Sequence, residues 1–166
     1  MPSVRRFQPH EWPLYRELRL AALRDAPDAF GSTLAREEAF PEQEWIARLA
    51  VGSASPLNHP IVAEDDGGRA VGLGWVRIEP TDPSTATLYQ VWLHPDARRR
   101  HIGSALLASA VHWAQQAGAR AMELHVAIGP DSAIAFYRRA GFVESGACSQ
   151  LRPGSERLQQ PMRLLL

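Results

Sequence analysis

Apolar and polar positions along the chain change period several times, and each change marks a predicted element boundary. Residues 11–24 carry Leu14, Leu18, Ala21 and Ala22 at helical spacing, with Pro13 suited to a first turn. Trp45, Ile46 and Leu49 predict a second, shorter helix over 41–50. Over 103–117, Leu106, Ala110, Trp113 and Ala117 form one stripe, and Gly118 fits a C-terminal cap. A last helix over 131–140 would take Asp131 as its N-cap and stop at Gly141. Strands are expected over 4–8, from Ile61-Val62-Ala63, and over 70–78, 85–93, 122–126, 142–147 and 158–165. Asp65-Asp66-Gly67-Gly68 reads as a hairpin turn and Thr81-Asp82-Pro83-Ser84 as another, with loops over 27–33 and 52–60. The order is strand, two helices, three strands, helix, strand, helix, two strands. That is mixed α/β on one sheet, and no linker interrupts it, so residues 1–166 are expected to form a single domain.

Charge and composition narrow the partners. Lys+Arg and Asp+Glu stand at 18 each, so no overall field draws in nucleic acid. Cys148 is the only cysteine, which excludes an intramolecular disulfide and a cysteine metal site; no metal is expected. The first residues lack an apolar signal core and no stretch is long enough to span a membrane, so a reduced, cytoplasmic location is the expectation.

Positive charge is concentrated in one place. Arg98, Arg99 and Arg100 lie between the apolar run 88–93 and the helix that starts near Gly103. A strand that turns straight into a helix presents unbonded N–H groups at the positive end of the helix dipole, which suits phosphate. Gly103 allows close approach of backbone to ligand. The arrangement points to a nucleotide-type anionic cofactor rather than a long polyanion.

Arg100-His101-Ile102-Gly103-Ser104-Ala105, read as R-x-x-G-x-A, resembles the pyrophosphate-binding motif of the GNAT N-acetyltransferase superfamily. A second block, from Ala133 through Tyr137 to Gly141-Phe142, resembles that family's A-x-x-x-Y-x-x-x-G-F signature. The run from Tyr89 to Pro95 is similar to the splayed strand before the turn, and the segment from Asp25 to Thr33 to the opening of bacterial members. The resemblance implies a mixed, mostly antiparallel sheet of about seven strands, with a splayed parallel pair and about four flanking helices. It implies that acetyl-CoA is anchored by Arg98, Arg99, Arg100, Ile102, Gly103, Ser104 and Ala105. Backbone N–H groups of Val91, Trp92 and Leu93 would line the pantetheine arm and polarise the thioester carbonyl. Tyr137 would be the general acid to the leaving thiolate. The chain departs from the family at Pro130, where an Asn that contacts cofactor or substrate often stands.

The implied function is acetyl transfer to a primary amine, either a small molecule or a peptide. Phe30 and Trp75 are expected to line the acceptor pocket. A general base is not singled out: Glu64, Glu79, Glu123, His94, His125 and a water chain all qualify. The alternative is a non-catalytic or weakly catalytic acyl-CoA-binding module of the same fold. A dinucleotide-binding fold is disfavoured because G-x-G-x-x-G is missing. A homodimer is conceivable through the apolar C-terminal strand from Met162 to Leu166, read as an exposed edge.

Overall fold

The computed structural model describes residues 1–130 and 132–166. Helix α1 (Trp12–Asp25) buries Tyr15, Leu18, Arg19, Ala22 and Leu23, the i, i+3, i+4, i+7 and i+8 positions of one face. A short helix α2 (Leu34–Glu38) follows, where Thr33 Oγ1 accepts the Arg36 N–H at 3.2 Å. Helix α3 (Glu42–Ala54) then runs past the expected end at residue 50. Its Gly52 reads as a breaker in the sequence, but a Cβ there would lie 2.4 Å from the Trp75 indole. The glycine serves a close approach, and the helix continues through it.

The strands are β1 (Ser3–Arg6), β2 (Asn58–Glu64), β3 (Ala70–Glu79), β4 (Asp82–Leu93), β5 (Ala121–Ala127), β6 (Val143–Glu144), β7 (Ser149–Gln150) and β8 (Leu158–Leu165). They form one sheet in the order β1-β2-β3-β4-β5-β8-β6, with β7 also paired to β8. Every pairing is antiparallel except β4 with β5, which helix α4 (Ile102–Gln116) connects by a crossover. Helix α5 (Ile134–Arg139) lies between β5 and β6 in the chain. The expected Asp131 N-cap falls outside the described residues.

Helices cover both faces of the sheet. On one, Ile102, Leu106 and Ala110 of α4 and Tyr137 of α5 pack with Leu124, Val126 and Met162. On the other, Tyr15, Leu18, Trp45 and Leu49 pack with Leu73, Trp75 and Trp92.

Three expectations need correction. The segment 142–147 is not one strand: Phe142 turns inward at 1% exposure, and the chain makes two short strands, β6 and β7, which bring the sheet to eight strands among the described residues. The second turn is tighter than residues 81–84, because Glu79 already pairs with Asp82. The C-terminal strand is not an edge. β8 is bonded to β5 on one side and to β6 and β7 on the other, so the edge argument for a dimer falls away.

Candidate active site

The parallel pairing of β4 with β5 covers only Thr85↔Ala121, Ala86↔Met122 and Thr87↔Glu123. Beyond it the two strands part, and a cleft of about 1910 Å³ opens between them. A bulge drives the separation. Trp75 pairs with Tyr89 but Leu73 pairs with Trp92, so β4 carries one residue more than β3 at this point. Gln90 takes up the excess with φ 60. Its side-chain Oε1 accepts the Tyr15 hydroxyl of α1 at 2.7 Å.

The extra residue also reverses the alternation of side chains. Ala86 and Leu88 face the α4 side of the sheet, whereas Trp92 faces the α1 side. Past the bulge, the His94 N–H reaches the Val71 carbonyl of β3 at 2.7 Å. Strand alternation therefore turns the N–H groups of Leu93 and Val91 away from β3, toward the cleft.

The basic turn closes one end. Arg99 and His101 both adopt left-handed backbone, at φ 63 and φ 62, and His101 is the N-cap of α4. The first helical bond runs from the Ala105 N–H to the His101 carbonyl at 3.1 Å. The N–H groups of Ile102, Gly103 and Ser104 precede it and have no intrahelical acceptor. A Cβ on Gly103 would stand 3.2 Å from Leu93 Cδ1 and 3.6 Å from the Phe136 ring, so the glycine lets α4 approach β4 and α5.

The three arginines are not equivalent. Arg98 donates to Asp25 Oδ2 at 2.6 Å and to the Leu93 carbonyl at 3.1 Å. Its guanidinium fastens the turn to α1 rather than standing free for a phosphate. Trp92 Nε1 donates to the same Asp25 oxygen at 2.9 Å. Burial alone would raise the Asp25 carboxyl, but the bonds from Trp92 and Arg98 outweigh it and hold the group below its usual range. Arg99 borders the cleft, as do His101, Gly103 and Ser104. Arg100 is exposed beyond the wall, while Ile102 is buried beneath it and Ala105 is half-buried.

Tyr137 borders the cleft from α5 on the α4 side. It is 7% exposed and packs edge-on against Phe136 and Phe142. Burial pushes its phenol up, so the group holds its proton. Pro130 also borders the cleft.

A second wall of the cleft lies on the α1 side. Phe30 borders the cleft there, over the Arg19 guanidinium at 5.0 Å from the ring centre. Arg19 itself is 4% exposed and bonded through two nitrogens to the buried Glu37. Arg152 donates to the carbonyls of Pro27 and Phe30, both at 2.8 Å, and Arg157 pairs with Asp28 at 3.1 Å. The loop after β7 thus holds the loop after α1 over the cleft. Trp75 does not line it. That indole is 6% exposed in the core and donates to Asn58 Oδ1 at 2.9 Å.

The five base candidates separate clearly. Glu64 is bonded to Arg5, Glu79 to Arg77 and Glu123 to Arg163, and none of them borders the cleft. His94 accepts the Asp96 N–H through Nδ1 and also lies outside the wall. His125 borders the cleft. Sequence reasoning missed Asp25, Gln90, Arg19 and Tyr89 as cleft residues. Only the left-handed backbone of Gln90 is locally unusual, and nothing in a Gln signals it.

A bulged strand split from its parallel neighbour, with unbonded amides at the entry of the following helix, makes an α/β protein with an open cleft suited to an extended anionic ligand. The family model described as the Acetyltransferase (GNAT) family matches residues 14–142, and the chain belongs to that family. Mycothiol acetyltransferase from Clavibacter michiganensis is 33% identical over 133 residues, covering 77% of this chain and 42% of that protein. The protein of that name from Pseudarthrobacter chlorophenolicus is 28% identical over 129 residues, covering 61% and 40%. The chain thus spans less than half the length of these curated relatives. A GNAT acetyltransferase structure from Streptococcus pneumoniae matches at TM-score 0.79 and 19% identity, covering 100% of both chains. Spermidine N-acetyltransferase from Vibrio cholerae, in complex with CoA and spermine, matches at 0.77 and 17%, covering 99% of this chain and 95% of that one. At such identities the structural likeness is one of fold.

Proposed function

We propose that this chain is an acetyl-CoA-dependent N-acetyltransferase that moves the acetyl group directly to a primary amine in a ternary complex. The observation that carries the reading is the convergence on one cleft of the turn amides, the open edge of β4 and the Tyr137 phenol. Bound acetyl-CoA would supply the activated acyl group as a thioester. The N–H groups of Ile102, Gly103 and Ser104, with Arg99 beside them, would hold its diphosphate. The Val91 and Leu93 N–H groups would pair with the pantetheine arm and donate to the carbonyl oxygen. Tyr137 would give its proton to the departing sulfur. Burial raises a phenol, but the same surroundings disfavour a bare thiolate, so the transfer is not made steeper by the full shift.

The acceptor wall shapes the choice of amine. Its carboxylates, Asp25 and Asp28, are each committed to an arginine among the described residues. Such a wall offers no acidic trap for a polycation and suits a monoamine better than a polyamine. The lone thiol Cys148 is exposed, which fits action in a reducing cytoplasm.

The test is acetyl-CoA-dependent thiol release across amino acids, polyamines, aminoglycosides, aryl amines and short peptides. Release with a subset of monoamines supports the reading. A second reading, an acyl-CoA-binding module without turnover, draws on Pro130 in the place of the family's Asn. Tight acetyl-CoA binding with no release across the panel would establish it.

A further inference from the structure

An aliphatic amine is an ammonium at neutral pH. With a pKa near 10.4, only about one molecule in a few thousand carries the lone pair that attacks a thioester. A catalyst for such an amine profits from a base on the side from which the acceptor arrives. We infer that His125 is that base.

Met122, Leu124 and Val126 of β5 pack into the core on the α4 side. Strand alternation sends Glu123 and His125 to the opposite, α1 side. Tyr137 belongs to the α4 side. The cleft is the gap between β4 and β5, so it is reached from both faces. Acid and base therefore stand on opposite sides of the reacting carbonyl, the phenol toward the sulfur and the imidazole toward the incoming nitrogen.

Elimination points the same way. Glu123 shares the face of His125, but its carboxylate is taken by Arg163. Asp28 is paired with Arg157. Asp25 accepts from Trp92 and Arg98 and is held below its usual range, which makes it a poor proton acceptor. Burial pushes the Tyr89 phenol up to about 12, so it does not ionise to serve as a base. His101 stands at the far end, at the entry to α4. His125 is exposed, and among the described residues no group hydrogen-bonds its imidazole.

The step balances. His125 takes one proton from the ammonium and later passes it to solvent. The neutral amine nitrogen forms the new C–N bond to the carbonyl carbon, and the C–S bond breaks. The sulfur leaves with its electron pair and takes the Tyr137 phenolic proton. The second nitrogen proton returns to the Tyr137 phenolate, directly or through water. The products are the amide, the free thiol of CoA and one proton.

This inference rests on the proposed transfer reaction, and its test separates the two. The probes are ethylamine, an ammonium at neutral pH, and trifluoroethylamine, which is neutral there and needs no base. Thiol release is followed with wild type and His125→Gln at saturating acetyl-CoA. The expected result is a loss with ethylamine at least tenfold larger than the loss with trifluoroethylamine. Equal losses, or no loss with either amine, would overturn the role of His125. A wild-type protein that acetylates no amine at all overturns the transfer reaction itself, which is a different result. Folding is checked by the thermal transition, which an exposed His→Gln change should leave in place.

Discussion

The Tyr137 carbonyl accepts the Phe142 N–H at 3.0 Å, and the two rings meet edge to face with centroids 5.6 Å apart. Together with the Gly141 N–H on the Arg138 carbonyl at 3.0 Å, this is a Schellman C-cap with its accompanying apolar contact. The spacing from Tyr137 to Gly141-Phe142 therefore has a mechanical sense. The cap that ends α5 also sets where the tyrosine ring sits.

Tyr137→Phe keeps that cap and the ring contact and removes only the hydroxyl. Turnover should fall about 100-fold, the scale of a lost general acid, while acetyl-CoA affinity stays nearly unchanged. Steady-state kinetics beside calorimetric titration of acetyl-CoA checks this. Wild-type turnover in the variant would remove Tyr137 from the mechanism.

Gly141→Ala attacks the cap instead. The residue sits at φ +100, and a Cβ would lie 3.2 Å from Leu164 Cδ1. The expected cost is about 1–2 kcal/mol of stability from the left-handed backbone alone. Urea denaturation measures it, and a variant as stable as wild type would contradict the assigned geometry.

His101 pays a conformational penalty at φ 62 that glycine would avoid. His101→Gly should gain about 0.5 kcal/mol, after the larger entropy of the unfolded glycine chain offsets part of the relief. A lower melting temperature in this variant would show that the imidazole makes compensating contacts.

His59 predicts a pH dependence of stability. Its ring stacks on Trp113 with centroids 5.0 Å apart, and its Nδ1 is buried without a partner among the described residues. Burial, and then the positive charge of Arg6, push its pKa down to about 4 from an ordinary 6.5. The unfolded chain therefore binds a proton at this site before the folded one does. Stability should be fully present above about pH 6.5 and decline as pH falls toward about 4. Melting curves across that window should show the decline, and His59→Gln should flatten it. A wild-type curve that is flat from pH 6.5 to 4 would refute the assignment.

The elements built from neighbours in the chain were readable from residue types. Helix α1 follows its apolar spacing, the turn into α4 follows its arginines and Gly103, and the cap of α5 follows Gly141. Each is held by bonds a few residues apart, so local pattern suffices. Helix α3 shows where this stops: Gly52 looked like an end because its partner, Trp75, comes 23 residues later and approaches through the sheet.

Local sequence thus determined the strand–turn–helix entry and the tyrosine block, because backbone amides and caps depend on neighbours along the chain. Tertiary structure decided which side chains belong to the cleft. Arg98 is claimed by Asp25 across 73 residues, Glu123 by Arg163 across 40, and Tyr15 meets Gln90 across 75. The bulge at Gln90 turns Trp92 to the α1 side of the sheet, and the β5–β8 register fixes which face His125 takes. A side chain's neighbours are set by pairing and burial between distant segments, and that is what places His125 at the cleft and Glu64, Glu79, Glu123 and His94 outside its lining.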